Sequence, residues 1–283
     1  MKINLSRLAN SSAPIRLSFF LLNLLLLWLP LAIPIYLLQK DANLVTILTI
    51  PPLYAEFILL LRLWGKYVYH QPHIFQHYGL ELTSHNRMDL LRGLALALTI
   101  VLMLFGVEGL LGYLVWQQPK VFLLRVILEG LVVSLGYGFA EELLFRGWLL
   151  DELQLDYSPS KALWLNAFLF AALHFIKPME AIVHTLPQFP ALVLLGLTLV
   201  WGKRWRRNRL GLPIGLHGGL VCGNYIINVG ELIKYTERVP DWVTGVNKNP
   251  LAGVMGLLFL GLLALWMKQR KRTDTVIDKQ HYK

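Results

Sequence analysis

Residues 141–147 read Glu-Glu-Leu-Leu-Phe-Arg-Gly, which puts two adjacent carboxylates and a guanidinium inside a strongly apolar run. On a helix, Glu142 and Arg146 stand four residues apart in the order that favours an ion pair, while Glu141 points about 100° away from Glu142. The two carboxylates therefore cannot do the same job. Pairing with Arg146 holds Glu142 ionised and leaves Glu141 to face a cavity, in the position of a general base. The same three charges would also serve as a buried salt-bridge cluster that fixes helix packing.

Two imidazoles extend the set: His174 closes Phe170-Ala-Ala-Leu-His174, and His217 opens His217-Gly-Gly-Leu-Val-Cys222-Gly-Asn224. Counted along helices from the basic end of the chain's apolar runs, Glu141 lies roughly 15 Å deep, His174 roughly 18–20 Å and His217 roughly 9 Å. Three separated segments can thus converge on one buried polar site. A Glu and two His activate water for attack on a carbonyl, either by direct general-base catalysis or around a Zn²⁺ ion whose ligands would be Glu141, His174 and His217. No HExxH spacing selects the metal route.

The elements that must position these groups are transmembrane helices. Of 283 residues, 55% are hydrophobic and only 16% are charged, and the mean hydropathy is +0.52. A soluble domain, a disordered chain and a collagen-like repeat are excluded, and a single Cys excludes a disulfide scaffold. Runs of about 20 apolar residues predict an all-α polytopic protein of about eight spans, near 17–38, 44–64, 93–116, 121–150, 160–176, 186–202, 211–229 and 250–267. The first run is too long for a signal-peptide core and reads as an uncleaved helix.

The formal charge of +10 comes from 27 Lys and Arg against 17 Asp and Glu. The basic residues gather beside the apolar runs: Lys2, Arg7 and Arg16 before the first, Lys66, Arg87 and Arg92 after the second. The block Lys203, Arg204, Arg206, Arg207, Arg209 follows the sixth, and Lys268, Arg270, Lys271, Arg272 follows the eighth. Cytoplasmic termini put all of them on one side, as the positive-inside rule requires. These blocks are topology signals that also attract anionic lipid head groups; they predict no nucleic-acid partner. With no internal repeat, residues 1–267 read as one integral membrane domain and 268–283 as a basic cytoplasmic tail.

Other polar groups carry weaker signals. His70, His73 and His77 have near-helical spacing for a metal, but Pro72 interrupts them. Their aromatic neighbours Trp64, Tyr67, Tyr69 and Tyr78 suggest an interfacial segment at head-group level. Cys222 lies about 140° around the helix from His217, a poor alignment for a nucleophile pair. Glu56, Arg62, Glu108, Arg125 and Glu129 lie in apolar runs as candidates for helix pairing or a transport path.

Glu-Glu-x-x-x-Arg at 141–146, Phe-x-x-x-His at 170–174 and the later His217, in that order over about 121–229, resemble the CAAX protease and bacteriocin-processing (CPBP) intramembrane peptidases. The resemblance implies that Glu141 activates water aided by His174, and that His217 contributes to the water site or the oxyanion. Glu142 and Arg146 would support them, and Phe170 and Asn224 would contact substrate. It further implies a membrane-associated or lipidated peptide or protein substrate, a prenylated C-terminus among the choices, with membrane lipids as partners. The family is described both as glutamate-based and as zinc-based. Val221 stands where it usually has Asn or Asp, and Asn224, two helical turns from His217, is poorly placed to touch the same atom. A non-catalytic scaffold retaining the fold is one alternative. A proton-coupled transporter is another, although the inverted repeat and paired broken helices expected of one are absent.

Overall fold

Apolar runs exclude water from their own backbone, so each must satisfy its N–H and C=O groups internally, and helices do so. The computed structural model describes residues 5–281, with side chains from 7 to 270. Lys2 and the side chains of Lys271 and Arg272 lie outside the described residues. After a short turn come helices α1 (Ala13–Leu38), α2 (Ala42–Tyr67), α3 (Ile74–His77) and α4 (Ser84–Leu110). Strand β1 (Leu114–Trp116) leads to α5 (Leu123–Glu142), a π-helical turn (Leu143–Leu149) and α6 (Leu150–Asp156). The chain continues through α7 (Pro159–Leu173), α8 (Met179–Thr185), α9 (Phe189–Trp205) and α10 (Gly211–Val229). Strand β2 (Ile233–Tyr235), α11 (Asp241–Thr244) and α12 (Val254–His281) complete it.

The protein is an all-α membrane protein, with one antiparallel ribbon pairing Leu114 with Tyr235 and Trp116 with Ile233. Among the described residues, five helical segments are long and apolar enough to cross a bilayer: Ala13–Leu38, Ala42–Tyr67, Ser84–Leu110, Leu123–Asp156 and Met179–Trp205. Helices also occupy the other three expected stretches. Of these, α7 has 15 residues, about 22 Å against a bilayer core of about 30 Å, and α10 is mostly sheathed by protein. The expected run 93–116 is corrected at both ends, since α4 begins at Ser84 and stops at Leu110, and residues 114–116 form β1.

Helix α10 is the hub, gripped by α4 on one side and α5 on the other. Gly211, Gly215, Gly219 and Gly223 recur every four residues and lie against Asn86, Leu90, Ala97 and Val101 of α4. Gly218 faces Ser134 of α5, while Gly138 of α5 meets the backbone of Ile214 and Gly218. Small residues let backbones touch where lipid supplies no hydrophobic drive. The Gly218, Gly219 and Gly223 group therefore serves helix contact.

Arg16, expected to be a topology marker, is fully buried. Its Nε donates to Glu152 Oε2 at 2.7 Å and its Nη2 to the Glu152 carbonyl at 2.9 Å, so α1 is tied to α6. Trp64 Nε1 and the Tyr69 hydroxyl also donate to Glu152 Oε1, at 3.0 and 2.7 Å. A buried carboxylate needs such donors, and it takes the polar edges of Trp64 and Tyr69; Trp64 and Tyr78 are buried. Burial first, and the Glu152 carboxylate second, push the Tyr69 hydroxyl above its ordinary pKa.

Candidate active site

Glu142 ends α5, and the chain then widens into the π-helical turn that carries Arg146. Such a turn leaves carbonyls unmatched within the helix, and side chains from other helices take them. Asn166 Nδ2 of α7 donates to the Phe145 carbonyl at 2.7 Å, and Lys203 Nζ of α9 donates to the Arg146 carbonyl at 2.6 Å. Arg146 is thereby held inside the bundle. Its Nη1 lies 3.0 Å from Glu142 Oε1, its Nη2 donates to the Gly196 carbonyl at 3.3 Å, and its guanidinium covers the Phe170 ring at 4.2 Å. Glu142 and Arg146 are both fully buried.

His174 caps α7, where the last carbonyls have no partner within the helix. Its Nδ1 donates to the Phe170 carbonyl at 2.7 Å. A carbonyl only accepts, so in the neutral ring Nε2 carries a lone pair. His217 lies two turns into α10, and its Nδ1 donates to Glu142 Oε1 at 2.9 Å. Phe170 packs edge-on against both rings, with centroids 4.7 Å from His174 and 5.9 Å from His217.

The two Nε2 atoms converge on Glu141: its Oε2 lies 3.9 Å from His174 Nε2 and 3.9 Å from His217 Nε2. That oxygen is buried with no hydrogen-bond partner among the described residues. Glu141, Glu142, Arg146, Phe170, His174 and His217 thus form one contiguous cluster, in which His217 spans the two carboxylates. The spacing bears differently on two occupants. A water bonded at about 2.8 Å to both Glu141 and one imidazole subtends about 90° at its oxygen, within ordinary hydrogen-bond geometry. A zinc bonded at about 2.0–2.1 Å to the same pair would open that angle to about 145°, far from tetrahedral. Among the described residues no three His, Cys, Asp or Glu side chains are grouped to hold a metal, and the present spacing does not fit one.

The family model described as type II CAAX prenyl endopeptidase Rce1-like matches residues 123–222. The match supports membership of the CPBP family for this segment. That is a protease family, and the matched CPBP segment runs from the start of α5 into α10, containing every residue of the cluster. No curated protein and no solved structure matches the chain.

Both imidazoles of the matched segment line a cavity of about 290 Å³ between α4, α7, α9, α10 and α12. Glu141 is not part of the lining and approaches the two Nε2 atoms from α5. The walls are apolar, with Val101, Leu104, Phe105, Leu195 and Leu260 among them. Val221 and Asn224 both line this cavity, so Asn224 shares a wall with His217 although two turns separate them. Asn228 Nδ2 donates to Asn224 Oδ1 at 2.9 Å, which leaves the Asn224 amide N–H groups as donors for the cavity. Gln188 and Asn249 join the lining; they come from connections outside the motifs and carry no spacing signal. Asn166, which holds the π-helical turn, was equally unmarked, and Lys203 stood out only as part of a basic block.

The remaining candidates lie apart. His77 Nε2 pairs with Asp151 Oδ2 at 2.7 Å, and with His70 and His73 it forms no metal group among the described residues. Arg125 and Glu129 make an exposed pair at 2.7 Å. Cys222 is buried and free. Glu108 is buried beside α10, away from the cluster.

Proposed function

We propose that the protein is an intramembrane endopeptidase that hydrolyses one peptide bond near the C-terminus of a membrane-associated or lipidated peptide. The observation that carries this reading is the position of Glu141 Oε2, 3.9 Å from each of two imidazole Nε2 atoms that border an apolar cavity. A water seated there gives one proton in a hydrogen bond to Glu141 and the other to the lone pair of His174 Nε2. Glu141 takes the first proton as the water oxygen adds to the scissile carbonyl carbon, and the carbonyl π pair moves onto its oxygen. Collapse breaks the C–N bond, and Glu141 returns the proton to the departing amine. The acyl carbon keeps the hydroxyl, so atoms and charge balance without a covalent intermediate.

His217 is suited to the oxyanion. With Nδ1–H directed at Glu142, its Nε2 donates only as the imidazolium, whose charge the Glu142 carboxylate balances. Arg146 shares that carboxylate, so Glu142, Arg146 and the imidazolium together keep one positive charge for the oxyanion. The spacing that accommodates a water supports a metal-free mechanism. We read the membrane part, residues 1–267, as one domain of eight crossings whose peptidase-like core is about 121–229. The termini and the 268–283 tail are assigned to the cytoplasmic side by the basic blocks.

Turnover of quenched peptides in proteoliposomes, half of them bearing a prenyl-Cys near the C-terminus, tests the reading. Wild type is expected to cleave one class, and Glu141→Ala and His174→Ala to cleave neither. Val221, at the position of the family's amide, favours a second reading as a non-catalytic scaffold. Equal background from wild type and both folded variants would establish that reading instead.

A further inference from the structure

Three carboxamides reach the cavity beside His174 and His217, from separate parts of the chain: Gln188, Asn224 and Asn249. A carboxamide presents an acceptor at one end and two donors at the other, so its orientation decides what it can read. In two of the three, groups that play only one part fix that orientation. The Leu251 N–H donates to Asn249 Oδ1 at 3.0 Å. The oxygen therefore faces its own chain, and Asn249 Nδ2 has no acceptor among the described residues. Asn228 Nδ2 donates to the Asn224 carbonyl and to Asn224 Oδ1, both at 2.9 Å. A main-chain carbonyl only accepts, so the nitrogen of Asn228 must lie there and the Asn224 side-chain oxygen must meet it. Asn224 Nδ2 is left over in the same way. Gln188 has no such orienting bond among the described residues.

The rest of the lining sets which acceptor these donors suit. Among the described residues no Lys, Arg, Asp or Glu lines the cavity, and Ile100, Leu104, Leu192, Leu220 and Phe259 are among its walls. A carboxylate or phosphate held there by the amides would exchange water for neutral donors alone, and a buried charge without a counter-charge is costly. A main-chain carbonyl is matched by a single N–H. An extended peptide sets its side chains alternately to either face, so one lying along the cavity turns apolar side chains to the walls while its carbonyls meet the amides. Asn224 stands seven residues after His217 on α10, about 10 Å of helix, which extended backbone covers in about three residues. One short segment therefore reaches the imidazoles and the amide together.

We propose that Asn224 Nδ2 and Asn249 Nδ2 clamp the substrate through its main-chain carbonyls, and that the bound segment is extended, apolar and uncharged. Binding then needs no free C-terminal carboxylate. That the bound segment is a substrate rests on the peptidase reading; the orientation of the two donors does not. Asn249 is also the residue that caps the turn Pro250–Ala252 through its Oδ1, so one carboxamide holds its own turn with the oxygen and offers its nitrogen to the cavity. Asn228, which is exposed and outside the lining, acts as a positioning residue for Asn224.

Asn249→Asp separates the clamp from the cap. A carboxylate oxygen accepts from the Leu251 N–H as an amide oxygen does, so the turn is kept while the donors facing the cavity become an acceptor. Binding is read on the full chain in neutral detergent, with Glu141→Gln as the common background to prevent cleavage. The probes are a fluorescent, C-terminally amidated hexapeptide of leucine, valine and alanine and its free-acid form, followed by anisotropy against protein-free micelles. Both forms are expected to bind saturably and within about twofold of each other. Asn249→Asp should weaken both at least about tenfold at an unchanged thermal midpoint, through one lost neutral hydrogen bond and the opposed lone pairs that replace it. Asn228→Ala, which frees the Asn224 carboxamide to turn, should weaken both about threefold, and it decides alone if Asn249→Asp does not fold. Undiminished affinity in these variants, no saturable binding, or a free acid bound ten times more tightly than the amide would each overturn the clamp on neutral carbonyls. Turnover is read separately with Glu141 intact: the expected binding without turnover would support the clamp and remove the peptidase reading.

Discussion

Exchanging each of the two adjacent glutamates for glutamine should separate their roles. Glu142 Oε1 accepts from Arg146 Nη1 at 3.0 Å and from His217 Nδ1 at 2.9 Å, and Glu142→Gln can present an amide oxygen at the same place. Shape and both hydrogen bonds are kept and only the charge is lost. Hydrogen bonds to a charged acceptor contribute about 1.5–3 kcal/mol and neutral ones about 0.5–1.5, so two such losses come to about 2–3 kcal/mol. An Arg146 left buried without a counter-charge brings the expected cost to about 3–5 kcal/mol. Glu141 is partly exposed and its Oε2 has no protein donor to lose, so Glu141→Gln should change stability by less than about 0.5 kcal/mol. Turnover by the same variant should fall about 10²–10⁴-fold with loss of the general base. The assay pairs denaturant unfolding with proteoliposome turnover. A stable Glu142→Gln beside a destabilised Glu141→Gln, or a fully active Glu141→Gln, would refute the division of labour.

Three further outcomes follow from the same geometry. Val221→Asn places a carboxamide one turn from His217 on the cavity wall, and peptide turnover should rise at least about tenfold, since single oxyanion donors contribute about 10²–10³. Gly215→Ala puts a methyl group onto the Leu90 carbonyl oxygen and should cost about 1–3 kcal/mol or more. Gly136→Ala, which meets nothing within 4 Å, should be neutral or stabilising by up to about 1 kcal/mol; thermal unfolding of the two reads the contrast. Turnover should survive exhaustive chelation, and elemental analysis should find no stoichiometric zinc; loss on chelation with recovery on added Zn²⁺ would reverse the metal-free reading.

Much of the site was legible because its signals are local. The four-residue step from Glu142 to Arg146 is a helical neighbour relation, and the structure pairs these residues as that step predicts. Glu141, His174 and His217 could be expected to meet because each was placed along its helix by helical rise alone, and the structure brings both imidazole Nε2 atoms to 3.9 Å from Glu141 Oε2. What stayed hidden depends on partners far along the chain. The π-helical turn at Leu143–Leu149 is held by Asn166 and Lys203, 21 and 57 residues from the carbonyls they take, and nothing in the local sequence announces it. The ion pair of Arg16 stayed hidden because its partner, Glu152, is 136 residues away. Trp64 and Tyr69 likewise carried no local sign that this carboxylate would take their donors. The brevity of α7 was obscured by Phe175 and Ile176, which extend the apolar run beyond the point where the helix ends at Leu173.

The glycine ladder on α10 limits where this protein can breathe. Backbone rests on backbone along one face, so α10 cannot slide or roll against α4 without collision, and the wall bearing His217, Val221 and Asn224 is stationary. Asn249, Pro250 and Leu251, which also line the cavity, lie outside that ladder, in the turn into α12. A cross-link between α4 and α10 would leave turnover intact, whereas one tethering that turn to α10 would stop it.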